Sequence, residues 1–270
     1  MSAVYQKLGL YIGMLFSALP VAWAADPPVV VPIQPQTFST DIQQNTLLEI
    51  FQSEADAELP WASIALTKTA DDSRVVPVAW HVQWRREPGW PDPFSRDFSD
   101  HRQQALVSQN PDNTRYTPQG FLNGVEWRDL LNGTTPPISA DRAIGELKAE
   151  IFPSGAIDLH FEPGSDFRHL IEEVSAHMVR LIEPEARKIP SGPAKGVIYQ
   201  ASHSVIDYQR TEYEPARQHW RFKLDTQRLW PDDIPEPRLV FWLESRDTPR
   251  PLQALAVQVR PKPPPPPIDE

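Results

Sequence analysis

The distribution of hydrophobic and polar positions in the first half of the chain predicts strands that alternate with helices. A nearly continuous apolar run is typical of a strand buried on both faces, whereas apolar residues at helical spacing predict a helix. The predicted elements are a strand over Thr46–Phe51, a helix over Leu59–Thr69, a buried strand over Val75–Val82, a helix over Phe98–Gln109, a hairpin over Tyr116–Trp127 and a short helix over Ser139–Lys148. Asn123-Gly124 is a suitable hairpin turn, and Asp97 or Ser99 a suitable cap for the second helix. This order predicts an α/β domain over residues 45–148.

From about residue 149, the pattern changes to short segments in which apolar and polar residues alternate. Such segments, separated by turns rich in proline, predict an antiparallel β-sandwich-like domain over residues 149–260. Pro153-Ser154-Gly155 predicts the turn of a first hairpin. The further strand candidates are His177–Ile182, Gly196–Asp207, His219–Leu224, Arg238–Leu243 and Leu252–Val259. Leu170–Leu181 fits a helix equally well.

The two ends of the chain carry signals of export and of extended structure. Lys7, the apolar run after it and the sequence Ala22-Trp23-Ala24 predict a secretory signal peptide over residues 1–24. An uncleaved anchor stays open as an alternative, although the run is shorter than the ~20 residues of a membrane span. Proline and polar residues predict an extended arm over residues 25–44 and a polyproline tail over residues 261–270. We expect a periplasmic or secreted protein with no membrane span after cleavage.

Composition narrows the chemistry that such a chain can perform. The net charge of −10 disfavours nucleic acids and anionic membranes as partners, because both are bound through basic patches. The sequence has no cysteine, so neither disulfides nor thiol chemistry are available to it. It also lacks a G-x-S-x-G elbow, a phosphate-binding loop and a dinucleotide fingerprint. We therefore expect no cofactor and no enzymatic activity.

Metal binding is not indicated by the spacing of the ligand-type residues. The seven histidines do not form H-E-x-x-H or a comparable motif. Asp158 with His160, and His203 with Asp207, are isolated pairs. The sequence therefore predicts no metal site.

Three blocks of sequence correspond, in order along the chain, to motifs of one known protein family. The family's strand ending in E-L-F-T-S-Q, followed by C-x-x-C-P-P-A, corresponds to Leu48–Ala55 and Asp56–Ala62. The second block, H-V-D-Y-W followed by G-W-x-D-P-F-S, corresponds to His81–Trp84 and Gly89–Ser95. The third block, Y-T-P-Q before a short strand, corresponds to Tyr116–Gln119. In these blocks the chain resembles a family of secreted thioredoxin-like proteins, the domain of unknown function 1223. The resemblance covers most of the first predicted domain and implies a thioredoxin-like fold there.

The chain departs from this family at the positions that would carry redox chemistry. Asp56 and Leu59 replace the two cysteines, and Gln83 replaces the usual aspartate of the second block. A carboxylate is favourable at a helix N-terminus, so we expect Asp56 to cap the helix and Leu59 to pack in the core. Glu58 in the first turn is favourable for the same reason. The resemblance thus implies a redox-inactive member of the family.

A peptide-binding groove can persist in such a fold without the cysteines. The resemblance implies a cis peptide bond before Pro118, beside which the backbone of Thr117 would pair with an extended peptide. Trp61 and Trp84 would line this groove; alternatively, they and Pro118 are structural. The candidate groove residues are Asp56, Glu58, Trp61, His81, Trp84, Thr117 and Pro118. We expect an unidentified peptide or protein partner, bound without catalysis.

Two other functions are compatible with the sequence. In the first, the protein is a structural envelope component that assembles through the β-rich domain and the proline tail. In the second, Asp56 or Glu58 works with His81 in a hydrolase site. Acid–base catalysis of that kind requires these side chains to lie within hydrogen-bond reach in one pocket. A lone histidine after a buried strand is also typical of a structural role.

Overall fold

The structure of the protein is a computed structural model that describes residues 34–69, 72–85, 91–132, 134, 136–138, 142–231 and 237–261. The predicted signal peptide and residues 262–270 of the predicted tail lie outside the described residues. The described residues belong to one compact unit. Within the described ranges, we find no helix that is long and apolar enough to cross a membrane.

Most of the regular structure is β, with few helices. The strands are β1 (Gln36–Ser39), β2 (Thr46–Gln52), β3 (Val75–His81), β4 (Gln119–Leu122), β5 (Val125–Trp127), β6 (Gly145–Ile151), β7 (Ala156–Pro163), β8 (Val174–Ile182), β9 (Arg187–Lys188), β10 (Ile198–Tyr199), β11 (Ser204–Glu212), β12 (Trp220–Lys223), β13 (Arg238–Ser245) and β14 (Pro251–Gln258). The helices are α1 (Leu59–Thr69), α2 (Asp97–Val107), α3 (Thr226–Leu229) and the 3₁₀ helices Arg128–Asn132 and Ser165–Glu173. The helices predicted over Leu59–Thr69 and Phe98–Gln109 are confirmed.

Eight strands form one mixed sheet in the order β14-β13-β8-β11-β3-β2-β4-β5. β2 and β3 are parallel and are joined through α1, because parallel neighbours need a long crossover connection. β11 runs parallel to β3 at the pair Ser204–Ala79 and antiparallel to β8 along its length. The sheet therefore contains strands from both sides of the boundary predicted near residue 148. The predicted division into an α/β domain and a separate β domain does not appear in the hydrogen bonding.

A second, antiparallel sheet has the order β1-β6-β7-β12. It packs against the β8, β13 and β14 part of the large sheet through a shared apolar core, which includes Leu147, Leu159, Phe222, Met178, Phe241 and Val257. β1 lies inside the segment that the sequence predicted as an extended arm. Residues 36–39 are instead an edge strand, paired with β6 and held by the packing of Phe38 on this core.

Strand β6 replaces the short helix that was predicted over Ser139–Lys148. Residues 145–151 alternate between buried and half-buried, which is the period of a strand, and β7 and β1 supply partners for their backbone. Gly145 begins the strand with a φ of +132°, and a Cβ there would lie 2.3 Å from the carbonyl oxygen of Glu162. Only glycine fits this close approach.

Two smaller predictions about helices are also wrong. Residues 170–181 do not form one helix, because the 3₁₀ helix ends at Glu173 and β8 follows, paired on both sides by β11 and β13. The N-cap of α2 is Arg96, which makes no side-chain capping bond. Asp97 lies in the first turn of α2, where its carboxylate accepts a hydrogen bond from the amide of Phe98.

The predicted turn at Asn123-Gly124 is confirmed. The φ angles are +45° and +79° there, and β4 pairs with β5.

Helix α2 covers the face of the large sheet opposite to α1 and the second sheet. At this interface, Arg102 makes paired hydrogen bonds of 2.7–2.8 Å to both Glu49 and Glu244. The indole N–H groups of Trp80 and Trp242 donate to the same carboxylates, at 3.0 and 3.1 Å. The three buried charges are thus fully paired, and they connect α2 to strands near the two ends of the sequence.

Candidate functional site

Asp56 lies in the loop between β2 and α1, at the position predicted to cap the helix. Its Oδ1 accepts hydrogen bonds from Arg85 Nε at 3.0 Å and from Thr117 Oγ1 at 2.9 Å. Its Oδ2 accepts the amide of Ser53 at 3.1 Å, so the carboxylate caps the preceding turn and not the amides of α1. Asp56 is only 1% exposed, and burial raises the pKa of its carboxyl although Thr117 and Arg85 oppose this shift.

The loop that approaches Asp56 carries the cis peptide bond Thr117-Pro118, as the resemblance implied. Pro118 is buried and Thr117 is half-buried. The first strand residue after them is Gln119, which pairs with Phe51 of β2. Among the described residues, we find no hydrogen bond to the backbone N–H or C=O of Thr117. These two groups thus have no partner within the described part of the chain, beside the loop that leads into α1.

Trp84 and Arg115 contact each other, and Trp84 is connected to this loop through Gln103. Trp84 is 37% exposed, and its indole N–H donates to Gln103 at 2.8 Å, while Gln103 in turn donates to the carbonyl of Tyr116. The guanidinium of Arg115 lies 5.3 Å from the centre of the Trp84 ring. Trp61, on α1, is 60% exposed. Both tryptophans predicted to line the groove thus have accessible rings.

The hydrolase hypothesis requires His81 to pair with Asp56 or Glu58, but it pairs with neither. It is fully buried at the end of β3, and its Nδ1 donates to Asp92 Oδ2 at 2.7 Å. Glu58 is exposed in the turn before α1. The described residues therefore do not bring together the carboxylate–histidine pairs named by that hypothesis.

His81 instead belongs to a buried polar network. Its Nε2 accepts from Gln52 at 3.1 Å and lies 3.0 Å from Ser204 Oγ. The order serine, histidine, aspartate matches that of a hydrolytic triad, but the hydroxyl of Ser204 donates to the carbonyl of Ala201 at 2.7 Å. All these side chains are inaccessible, so the network is suited to joining β2, β3 and β11.

The sequence did not predict three members of this network, which are Gln52, Asp92 and Ser204. Asp92 lies within the second block of the resemblance, and its retention there was a signal that its side chain has a fixed partner. His81 and two backbone amides lower the pKa of the Asp92 carboxyl, although burial opposes this shift. Ser204 carried no signal, because it reaches His81 only through the pairing of β11 with β3.

A segment of the chain itself, residues 187–201, covers one side of the start of α1. We call it the cover segment. Leu59 is fully buried, as predicted, in a cluster with the cover-segment residues Ile189, Ala194, Tyr199 and Ala201. The cover segment is also held by an ion pair between Arg187 and Glu54 and by a 2.8 Å hydrogen bond from Gln52 to the Tyr199 hydroxyl. The cover segment thereby encloses the side chain of Leu59.

The two isolated ligand-type pairs noted in the sequence have different outcomes. His203 lies beside Arg238 and Glu183, whereas Asp207 pairs with Arg228, so these two residues do not share a site. Asp158 and His160 are brought together with His219 on the second sheet.

A comparison with family models places the chain among proteins without an assigned role. The model described as "Protein of unknown function (DUF1223)" matches residues 47–243. The chain belongs to this family. The match extends from β2 to β13, and so includes the cover segment and most of the β-rich half that the three sequence blocks did not reach.

Two solved structures resemble the protein. Protein AGR_C_4864 from Agrobacterium tumefaciens has a TM-score of 0.54 and 16% identity, covering 78% of this chain and 93% of that chain. HBP35 of Porphyromonas gingivalis has a TM-score of 0.55 and 13% identity, covering 84% of this chain and 80% of that chain. At such identities the similarity concerns the fold alone. No curated protein matches the sequence.

Proposed function

We propose that this protein is an exported, redox-inactive member of a thioredoxin-like family that binds an extended peptide segment without catalysis. The parallel β2-α1-β3 unit, the hairpin β4-β5 after a cis proline and α2 on the opposite face support a thioredoxin-like core. Strands β8, β11, β13 and β14 of the β-rich half continue the sheet of that core. Asp56 and Leu59 then occupy the two sulfur positions, one as an anchor and one as core.

The observation that carries the proposal is the backbone of Thr117 next to the cis bond, whose N–H and C=O make no hydrogen bond among the described residues. A peptide in extended conformation pairs with such N–H and C=O groups as an added strand, and its affinity comes mainly from main-chain hydrogen bonds. The hydroxyl of Thr117 is tied to Asp56, which itself is held by Arg85 and Ser53. The loop is therefore fixed in position before a peptide arrives, which lowers the entropic cost of binding.

The surroundings of Thr117 favour particular side chains in such a peptide. Trp84 offers an exposed ring, and the side chain of Arg85 is 51% exposed although it bonds Asp56. Arg115 lies against the ring of Trp84. Aromatic side chains would stack on this ring, and acidic ones would pair with the two arginines, so we expect both to be enriched in bound peptides.

Selection from a random peptide display library, followed by titration calorimetry, tests the proposal. Selected peptides should lose at least about tenfold in affinity for Trp84→Ala, because an exposed interfacial tryptophan is a typical energetic anchor. Ile42→Ala removes another exposed apolar side chain and should have no effect. Methylating the peptide amides one at a time should abolish binding at alternate positions, which is the signature of strand pairing.

Two results would count against the peptide groove. One is a set of peptides whose affinity is the same for the parent protein and for Trp84→Ala. The other is binding that survives methylation at every amide. Either result would favour the alternative hypothesis, in which the protein binds its partner through the β-rich half.

A further inference from the structure

Three metal-ligand side chains meet on the second sheet, away from Asp56. Asp158 and His160 are two residues apart on β7, so they lie on the same face of the strand. β12 pairs with β7 in the register Trp220–Leu159, which brings the preceding residue, His219, beside His160. One ligand atom from each of the three side chains lies within 4.8 Å of the others.

The side chain of His219 supplies an independent sign that a ligand is missing. His219 is 93% buried, since its exposed fraction is 7%, yet its Nε2 has no hydrogen-bond partner among the described residues. This nitrogen faces Asp158 Oδ1 at 3.7 Å, too far for a hydrogen bond. Buried polar atoms without partners are rare, because burial removes their hydrogen bonds to water and no other hydrogen bond replaces them.

We propose that Asp158, His160 and His219 form a binding site for a divalent transition-metal ion of the zinc type. Two imidazoles and one carboxylate are the nitrogen and oxygen donors that such ions prefer. An ion at this place would give the Nε2 of His219 the partner that the protein does not provide. The site leaves further coordination positions for water or for a fourth side chain.

The observed distances fit a site that closes by small side-chain movements. Donor atoms on a tetrahedral zinc ion lie about 3.3 Å apart, given metal–ligand bonds of about 2.0 Å. The separation of 3.7 Å between His219 and Asp158 is already near this value. The side chain of His160 is 40% exposed, so it is free to rotate towards the ion and leaves the site open to solvent.

Neighbouring side chains hold the carboxylate in place and offer a fourth ligand. Arg221 donates two hydrogen bonds, of 2.6 and 2.5 Å, to the two oxygens of Asp158. These bonds lower the pKa of the Asp158 carboxyl, although burial opposes the shift. Glu150 lies directly across from Asp158 on β6, and its Oε2 is 3.8 Å from His160 Nε2. The charge of Arg221 offsets part of the attraction for a cation, which favours moderate affinity.

Titration calorimetry of zinc chloride into the purified chain, without a histidine tag and after treatment with chelator, tests this site. We expect one ion per chain. His160→Ala and His219→Ala should each weaken zinc binding at least about tenfold. His169→Ala is the matched control: His169 is exposed on the 3₁₀ helix Ser165–Glu173 and should bind zinc as the parent does.

His160 is the decisive position, because its exposed side chain is replaceable without a cost to folding. The thermal midpoint of His160→Ala without zinc should equal that of the parent, while the rise on adding zinc is lost. Anomalous diffraction at the zinc edge should place the ion within about 2.0–2.2 Å of Asp158, His160 and His219. No stoichiometric binding, equal affinity in His160→Ala, or an ion at another position would overturn the proposal.

Discussion

At the scale of single residues, the buried cluster under α2 shows how burial and pairing act on charge. Arg102 has a pKa well above its usual value because Glu244 and Glu49 outweigh the effect of burial. The pKa of Glu244 is lowered, with Arg102 overcoming burial in the same way. His177 stacks on Trp242 and bonds Tyr208, and burial lowers the pKa of its imidazole to about 3. A neutral histidine is therefore built into this core.

His177 should make the protein less stable in mild acid. The unfolded state has the higher pKa, near 6.5, so it takes up the proton first and acid favours unfolding. The contribution of His177 to the free energy of unfolding is complete above pH 6.5, and it is lost as the pH falls towards 3. Between pH 7 and 5, one such group removes about 2 kcal/mol of the free energy of unfolding. Urea denaturation at a series of pH values measures this slope.

The control for this prediction is His177→Gln, which keeps a hydrogen-bonding side chain but cannot be protonated. Its free energy of unfolding should depend less on pH over the same range. Some slope should remain, because burial also lowers the pKa of His203. An identical slope in the variant and the parent protein would show that His177 is not the group responsible.

At the scale of elements, the cover segment combines short strands with a well-packed anchor. β9 and β10 contain two residues each, and among the described strands they pair only with each other. Such a hairpin is marginal by itself, so its position depends on Leu59, on the Arg187–Glu54 pair and on Tyr199. The inner strands β8 and β13 of the large sheet, in contrast, are paired on both sides over most of their length.

Leu59→Ala should release the cover segment before the rest of the fold. Removing a fully buried leucine costs about 2–5 kcal/mol, and part of that loss falls on residues 187–201. Hydrogen exchange followed by mass spectrometry should show faster exchange in the cover segment, with β8 and β13 unchanged. Ile198→Ala, on the same segment but 75% exposed, should leave the exchange as it is in the parent protein. Uniform acceleration across the sheet in Leu59→Ala would refute local opening.

At the scale of the whole molecule, the interactions that cross the predicted domain boundary decide the architecture. β3 pairs with β11, and Arg102 joins Glu49 to Glu244 across the face of the sheet. The side chain of Gln253, on β14, donates to carbonyls of Gln43 and Gly145. These contacts connect the beginning, middle and end of the described chain.

A fragment of residues 45–148 should therefore not fold by itself. It would leave the edge of β3 unpaired, Arg102 without Glu244 and the Leu59 cluster without the cover segment. We expect a broad, non-cooperative thermal transition in circular dichroism and poorly dispersed amide signals in nuclear magnetic resonance. The full chain, measured beside it, should unfold cooperatively. A cooperative transition in the fragment would restore the two-domain interpretation.

The sequence by itself determined those features that are set by neighbours along the chain. Helix α1, strand β3 and the hairpin turn at Asn123-Gly124 follow from local periodicity and turn chemistry. The burial of Leu59 and the cis bond before Pro118 followed from the family resemblance, and so did the proximity of Thr117 to Asp56. The absence of cysteine excludes thiol chemistry with no reference to the fold.

Only the tertiary structure decided how distant segments meet, because register and pairing are set by partners that sequence periodicity does not name. β1 and β6 are strands since β6 and β7 offer their backbone groups hydrogen bonds, although an arm and a helix were predicted. His81 bonds Asp92 and lies beside Ser204, and it does not pair with Asp56. His219 joins Asp158 and His160, which lie far earlier in the chain, because β12 pairs with β7. Local pattern thus fixed the elements near α1, and long-range strand pairing fixed the sites.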